Sequence, residues 1–345
     1  MKNVRVGIIG AGSIAQYAHI PNYQKLEGVE VVALADIDAK TLKEAAAKFG
    51  VKKTYADYKK MLSAEKPDAV SVCTPNAFHA APTIAALKAG AHVVVEKPIA
   101  MNAQEGRQMV EAARKAKRLL MVAFNNRWRA DVQYLKQTVN AGALGDIYYG
   151  EAVYMRRSGI PGWGAFVDKK MSGGGPLIDV GVHMLDMALF LMGHPKPVAA
   201  FGATATAFGK RPGFGGMGQW DREKFTVEDF GVGLVRFANG AMLLLKASWA
   251  ANIGEDQHYV MLMGTEAGLI TSPARIFRQE HGALVDVAPT RLPNVDTYAE
   301  EIAQFIKAIR AGARSPVPGK HGVMATEILD AIYESAATGA EVTIK

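Results

Sequence analysis

Only one cysteine, Cys73, occurs in 345 residues. An internal disulfide framework is therefore excluded, and the composition fits a reducing, cytoplasmic compartment. No unbroken apolar run approaches the roughly 18 residues of a membrane-crossing helix. The segment from Met1 to Gly12 lacks the long apolar core and cleavage site of a secretory leader. It reads instead as a strand entering a glycine turn. The polar bias of a disordered chain is also missing, since 49% of residues are apolar and 21% charged. A surplus of 40 Lys and Arg over 33 Asp and Glu leaves a net charge of +7. That charge would suit an anionic cofactor or a nucleic acid. The lysines, however, are scattered along helical stretches (Lys40, Lys43, Lys48, Lys59, Lys60, Lys115, Lys117) without interleaved aromatics. A solvated surface is the expectation, with neither nucleic acid nor membrane as partner.

The length suits two domains, each able to bury a core. In the first third, short apolar runs (Val4–Ile9, Val29–Ala35, Ala69–Cys73, 92–95, 119–124) alternate with stretches rich in Ala, Lys, Glu and Gln (14–26, 41–49, 57–64, 83–89, 104–117). Continuous apolar strands separated by helices specify a parallel sheet covered on both faces, an α/β domain. Asn102 with Glu105 forms a helix-start signal, and Gly50 and Gly90 sit where helices should stop. Past Phe124 the pattern changes. A helix over 131–140 is followed by longer runs of strand formers, at 147–157, 198–207, 229–237, 241–250, 259–263 and 269–271. Asn239-Gly240 marks a hairpin. The expectation is a domain over 1–124 and an α+β domain over 125–345. The second has a large open antiparallel sheet and closes with helices over 298–311 and 322–338. The glycine-rich stretch from Gly209 to Gly218 reads as a mobile surface loop, a candidate lid.

Gly10-Ala11-Gly12-Ser13-Ile14-Ala15 follows the first strand and opens a helix. The first glycine permits a tight turn, and the second removes a side chain where a pyrophosphate must approach the backbone. The small third residue lets helix and strand pack. The helix N-terminus offers free N–H groups to phosphates. Asp36 closes the second strand at about the spacing expected of the acid that binds the adenosine ribose. Its charge would repel a 2′-phosphate, so NAD is expected over NADP. The bland reading makes Asp36 a strand-end turn residue, but the surrounding strand, turn and helix favour dinucleotide binding.

Two further segments carry chemistry. Glu96-Lys97-Pro98 ends the fifth strand, where ligands of open parallel sheets bind. Taken alone, Lys97 reads equally well as a surface lysine before a proline turn. From Gly173 to Asp186 the chain runs GGGPLIDVGVHMLD. Three glycines lead to Pro176, which suits the first turn of a helix. Asp179, His183 and Asp186 then fall on one helical face. The glycines would let the backbone approach a nicotinamide or a substrate. One alternative is a capped helix with a buried structural histidine. Another is a metal site built on Asp179 and His183, but no further His or Cys cluster supports it and no metal is expected.

These residues together resemble the glucose–fructose oxidoreductase / inositol dehydrogenase / MocA (Gfo/Idh/MocA) family. The shared features are Gly10 to Ala15, Asp36, Thr74-Pro75-Asn76 with His79, Glu96-Lys97-Pro98, and the Asp179-x-x-x-His183 core, in the family's order along the whole chain. The resemblance implies a Rossmann domain joined to an open-sheet domain. It assigns catalysis to Lys97, Asp179 and His183, and the cofactor to Gly10, Gly12, Ser13, Ile14, Asp36, Thr74, Pro75, Asn76, His79, Glu96 and Lys97. Trp163 stands where members commonly carry a Trp-Arg pair near the nicotinamide, and this chain has Gly164 in place of the arginine. Arg156-Arg157 through Trp163, with the Gly173 to Asp186 segment, is similar to the subset that oxidises C3 of glucose or glucosides, the D-glucoside 3-dehydrogenases. That similarity implies substrate contacts from Lys97, Arg156, Trp163, Asp179 and His183.

The chemistry expected is oxidation of a secondary carbinol by NAD. His183 is the general base, because imidazoles titrate near neutrality. Lys97 stabilises the developing alkoxide, and Asp179 orients substrate and base. Rival readings are a cyclitol (inositol) dehydrogenase, a redox-neutral glycosidase that retains its NAD, and a ligand-sensing regulator without catalysis. Apolar residues Val232, Leu234, Leu243, Leu245 and Trp249 are expected on the open sheet face, where they would support a homodimer or homotetramer.

Overall fold

The computed structural model describes residues 3–212 and 216–345. The chain groups into two units. One combines the stretch ending at Asn125 with Asp296–Val323, and the other combines Asn126–Val295 with Met324–Lys345. The first unit's long stretch ends one residue past Phe124. A single cut is too simple, because residues 296–323 return to the first unit.

In the first unit, strands β1 (Val4–Ile9), β2 (Val29–Ala35), β3 (Thr54–Tyr55), β4 (Ala69–Val72), β5 (His92–Glu96) and β6 (Leu120–Ala123) form one sheet in the order β3-β2-β1-β4-β5-β6. Every pairing is parallel. β4 and β6 are buried along their whole length, as continuous apolar runs require when helices cover both faces. The helix starts are capped as the sequence implies. Asp38 accepts the Thr41 N–H at 2.7 Å, and Asn102 accepts that of Glu105 at 2.9 Å. Glu105 reaches back to the Met101 N–H rather than to that of Asn102. Gly50 ends its helix with φ +68°. The returning segment seals the far edge. Asn125 Nδ2 donates to Thr297 Oγ1 at 3.1 Å, the Val122 N–H bonds the Val317 carbonyl at 3.1 Å, and Gly322 packs against Val122 and Ile99.

The second unit holds β7 (Ile147–Met155), β8 (Pro197–Ala205), β9 (Phe230–Phe237), β10 (Met242–Ser248), β11 (Gln257–Gly264), β12 (Ala267–Thr271), β13 (Ala274–Glu280), β14 (Ala283–Val287) and β15 (Val342–Thr343). Among the described residues these form one sheet, β14-β13-β12-β11-β7-β10-β9-β8-β15. It is antiparallel except where β10 runs parallel to β7, so the expected antiparallel sheet is a mixed one. Asn239-Gly240 makes the expected β9–β10 turn, with Gly240 at φ +87°. β13, β14 and β15 were not anticipated, because β13 and β14 carry mixed polar sequence and β15 is two residues long.

Strand alternation corrects the expected apolar surface. Leu243, Leu245 and Trp249 are fully buried. They lie on the side covered by the helical stretch 177–191, where a Cβ on Gly181 would meet the Ala247 Cβ at 3.0 Å. Val232 and Leu234 are left on the other face. There Leu234 pairs with Phe201 on one side and Leu244 on the other, and Phe201 and Leu234 are exposed. The stretch Lys169–Leu191 is long and apolar enough on average to cross a membrane, which the search for unbroken runs missed. Most of it is buried inside the second unit. In the loop from Gly209 to Gly218, read as a candidate lid, residues 213–215 lie outside the described residues. Gly209 itself is tied down by its N–H to Asp229 at 2.7 Å and by its carbonyl to the Trp220 indole at 2.7 Å.

Candidate functional site

In the first unit the chemistry-bearing residues gather on loops at the carboxyl edge of the sheet. The strand order reverses between β1 and β4, where doubly wound sheets bind nucleotides. Gly10 sits there at φ +88°, and a Cβ on it would come 2.7 Å from the Cys73 backbone. Only glycine lets this loop press onto the end of β4. At Gly12 an added Cβ would meet nothing within 4 Å. The first glycine is required by the protein's own packing, and the second leaves the open space a pyrophosphate needs. Ser13 is exposed and begins the helix over 13–24, so the helix N-terminus faces that space. Asp36 accepts the Ala11 N–H at 2.7 Å and the Asp38 N–H at 2.8 Å, one bond to each oxygen. Each oxygen keeps acceptor capacity for a ribose hydroxyl. Ile37 beside it is 89% exposed, an apolar platform at the mouth of the cradle. Open space at Gly12, a helix start and an acid on the neighbouring loop fit a dinucleotide.

Two residues expected in this cradle stand behind it. His79 is fully buried, with Nδ1 2.7 Å from the Pro98 carbonyl and Nε2 2.8 Å from that of Thr74. It ties the 74–78 loop to the Lys97-Pro98 turn. Burial pushes its pKa down even though both carbonyls favour the charged form. Glu96 is buried as well. Its Oε1 lies 2.9 Å from His19 Nε2, and its Oε2 accepts the Lys97 N–H at 3.2 Å. His19 Nδ1 in turn meets Ser71 Oγ at 3.0 Å. Burial would raise the Glu96 carboxyl. The His19 hydrogen bond and the charges of His19, Lys97 and His79 outweigh it and bring the carboxyl below its ordinary value. His19 reaches this position from a π-helical turn, Ala15–His19. Such turns are rare and concentrate at functional sites. Thr74 Oγ1 donates to the Phe78 carbonyl at 2.8 Å. Pro75 is exposed, while Asn76 and Lys97 are half-buried at the same edge.

In the second unit Asp179 lies in another π-helical turn, Leu177–Gly181, which continues as an α-helix, Val182–Leu191, carrying His183. The preceding glycines make room for the protein's own groups. Gly173 ends a short helix at φ +88°. A Cβ on Gly174 would overlap the Tyr333 hydroxyl, and one on Gly175 the Glu228 carbonyl. The Glu228 carboxylate accepts the N–H groups of Gly175 at 2.9 Å and Leu177 at 3.3 Å, and the Tyr333 hydroxyl at 2.8 Å. It caps the helix that carries Asp179 and His183. Burial pushes this carboxyl up, and the bonds from Gly175 and Tyr333 offset part of the effect.

Asp179 and His183 are both half-buried, and His183 Nδ1 is shielded from solvent. Trp249 Nε1 donates to Asp179 Oδ2 at 3.0 Å. Asp186 packs into the core. It is buried, and its carboxylate takes Arg127 Nε at 2.8 Å and Nη2 at 2.6 Å. Burial raises the Asp186 carboxyl despite the facing guanidinium. Arg156 donates to the Gly159 carbonyl at 3.0 Å, and its guanidinium lies 5.2 Å from the Tyr154 ring centre. Trp163 is 49% exposed and edge-on to Phe166, with ring centres 6.3 Å apart.

A profile described as an oxidoreductase family with NAD-binding Rossmann fold matches residues 4–124, and one for the GFO/IDH/MocA C-terminal domain matches 132–270. The chain belongs to the Gfo/Idh/MocA family. It is an oxidoreductase whose first unit is an NAD-binding Rossmann domain. Among its relatives, the D-glucoside 3-dehydrogenase of Escherichia coli (strain K12) is 36% identical over 99% of this chain and 97% of its own. The myo-inositol 2-dehydrogenase of Thermotoga maritima is 28% identical over 93% of each. A levoglucosan dehydrogenase solved with NADH and levoglucosan superposes with a TM-score of 0.87 at 25% identity, covering 99% of this chain and 100% of that one.

Sequence reasoning missed the residues that hold the family's motifs in place: His19 behind Glu96, Glu228 and Tyr333 behind the glycines, Arg127 against Asp186, and Trp249 against Asp179. One signal was present. A tryptophan among strand residues needs an acceptor for its N–H once buried.

Proposed function

We propose that the protein oxidises a secondary hydroxyl of a sugar or glycoside with NAD+, converting C3 of glucose or a glucoside to the ketone. The observation that carries this reading is the 36% identity with D-glucoside 3-dehydrogenase along nearly the whole of both chains. When bound, NAD+ supplies the two-electron acceptor for the carbinol hydride. Gly10, Gly12, Ser13 and Ile14 hold its pyrophosphate, and Asp36 its ribose. Thr74, Pro75, Asn76 and Trp163 line the cofactor, while His79 and Glu96 serve it by fixing the loops in front of them. His183 takes the hydroxyl proton on a ring nitrogen. Lys97 Nζ donates to the same oxygen as negative charge develops there. Asp179 holds a neighbouring hydroxyl and orients His183, and Arg156 adds a substrate contact. The enzyme works in the cytoplasm as a homodimer or homotetramer, with Phe201, Val232 and Leu234 on the open sheet face supplying apolar surface for association.

The testing experiment offers methyl glucosides, glucose and myo-inositol with NAD+, follows NADH, and identifies products by NMR. A 3-keto glucoside with matching NADH is the expected result. The 28% identical myo-inositol 2-dehydrogenase makes a cyclitol the second candidate. Oxidation of inositol alone would replace the glucoside reading. Sugar release from a glycoside without net NADH would identify a redox-neutral glycosidase.

A further inference from the structure

We infer that Trp249 is a positioning residue for the reaction, locking the Asp179 carboxylate through its indole N–H. The inference rests on the roles given above to Asp179 and His183. Trp249 has no exposed surface and stands immediately after β10, the strand on which the Asp179-bearing turn packs. Its backbone N–H bonds the Asp229 carbonyl at 3.1 Å. Next to it, Ser248 Oγ donates to the Ala250 carbonyl at 2.7 Å and accepts the Ala250 N–H at 3.1 Å. The indole is thus held by fixed neighbours on both sides of the chain, and its single N–H has one direction in which to point.

The partner at the end of that direction is unusual. A buried tryptophan most simply satisfies its N–H with a backbone carbonyl or water. Here the acceptor is Oδ2 of a half-exposed carboxylate in a π-helical turn. An indole nitrogen can only donate, so Oδ2 must accept. The bond to a charged acceptor is of the stronger kind. It restrains the side-chain rotamer. Oδ2 is thereby tied to the core. Misplacing a reacting group by about 1 Å costs roughly a hundredfold in rate, and a free aspartate rotamer moves its oxygens further than that.

The test compares Trp249→Phe, which keeps an aromatic ring and removes the donor, with the unmodified enzyme. The expected result is kcat lower by roughly ten- to hundredfold, with NADH affinity unchanged. In an Asp179→Ala background the same substitution should lower kcat no further, because Trp249 acts through Asp179. A role confined to packing predicts the opposite, an equal proportional loss in both backgrounds, and that would overturn the inference. A Trp249→Phe enzyme with normal kcat would do so as well. If the phenylalanine variant does not fold, benzothienylalanine at position 249 keeps the indole's shape and replaces N–H by sulfur, and the same two outcomes apply. Normal turnover by Asp179→Ala would remove the functional reading itself. A crippled Asp179→Ala beside a normal Trp249→Phe would remove only this inference.

Discussion

Both units use glycine beside a π-helical turn, for opposite purposes. In the first, Gly12 leaves space that no atom of the described chain fills, and the turn behind it carries His19 inward to Glu96. In the second, Gly174 and Gly175 make room for Tyr333 and Glu228, and the turn after them presents Asp179. Gly12 leaves open space, and Gly174 and Gly175 clear a place for the protein's own supports. A glycine motif therefore marks close approach without saying what approaches. The answer lies in whether the structure already occupies the space.

Variants on each side can break this contrast. The largest stability effect should come from Arg127→Ala, which strands the buried Asp186 carboxylate. Losing one partner of a buried pair costs about 3–5 kcal/mol, read as a marked fall in Tm. A variant as stable as the parent would show that this tie does not hold the helix. Next is Gly175→Ala, whose methyl would overlap backbone at Glu228. Overpacking of this kind costs roughly 1–3 kcal/mol. Gly12→Ala should leave Tm unchanged and weaken NADH binding, because the methyl fills only ligand space. Calorimetry and fluorescence titration of the two glycine variants should give opposite patterns, and similar Tm losses in both would erase the distinction. The smallest effect is on cofactor choice. Asp36→Ser should raise NADP use relative to NAD by on the order of tenfold, about 1.4 kcal/mol. Equal use of the two cofactors by the unmodified enzyme would contradict the charge argument.

What could be read from the sequence follows the same divide. β1 and β2 were legible to the residue, because a buried parallel strand is a continuous apolar run and its neighbours bear capping residues such as Asn102. Gly10, Gly12 and Asp36 were legible because their spacing is local. The return of 296–323 to the first unit was not, since the contact of Asn125 with Thr297 spans half of the chain. Nor were the ties of Glu228, Tyr333 and Trp249 to the 175–179 segment, which come from the loops flanking β9 and β10 and from the final helix. Leu243 and Leu245 were assigned to the wrong face because alternation fixes which residues share a face, and only packing says which face is covered. The pairing of Asp186 with Arg127 could not be read because the two are 59 residues apart in the sequence.

The proposed reaction depends above all on His183 taking the proton of the reacting hydroxyl. Steady-state kinetics of His183→Ala, alongside NADH titration of the same preparation, test it most directly. General-base catalysis contributes roughly 10²–10⁴-fold, so kcat should fall within that range while NADH binds as before and the acid limb of the rate–pH profile disappears. A folded His183→Ala enzyme that turns over at nearly the original rate would contradict the claim and leave His183 as a packing residue of the helix.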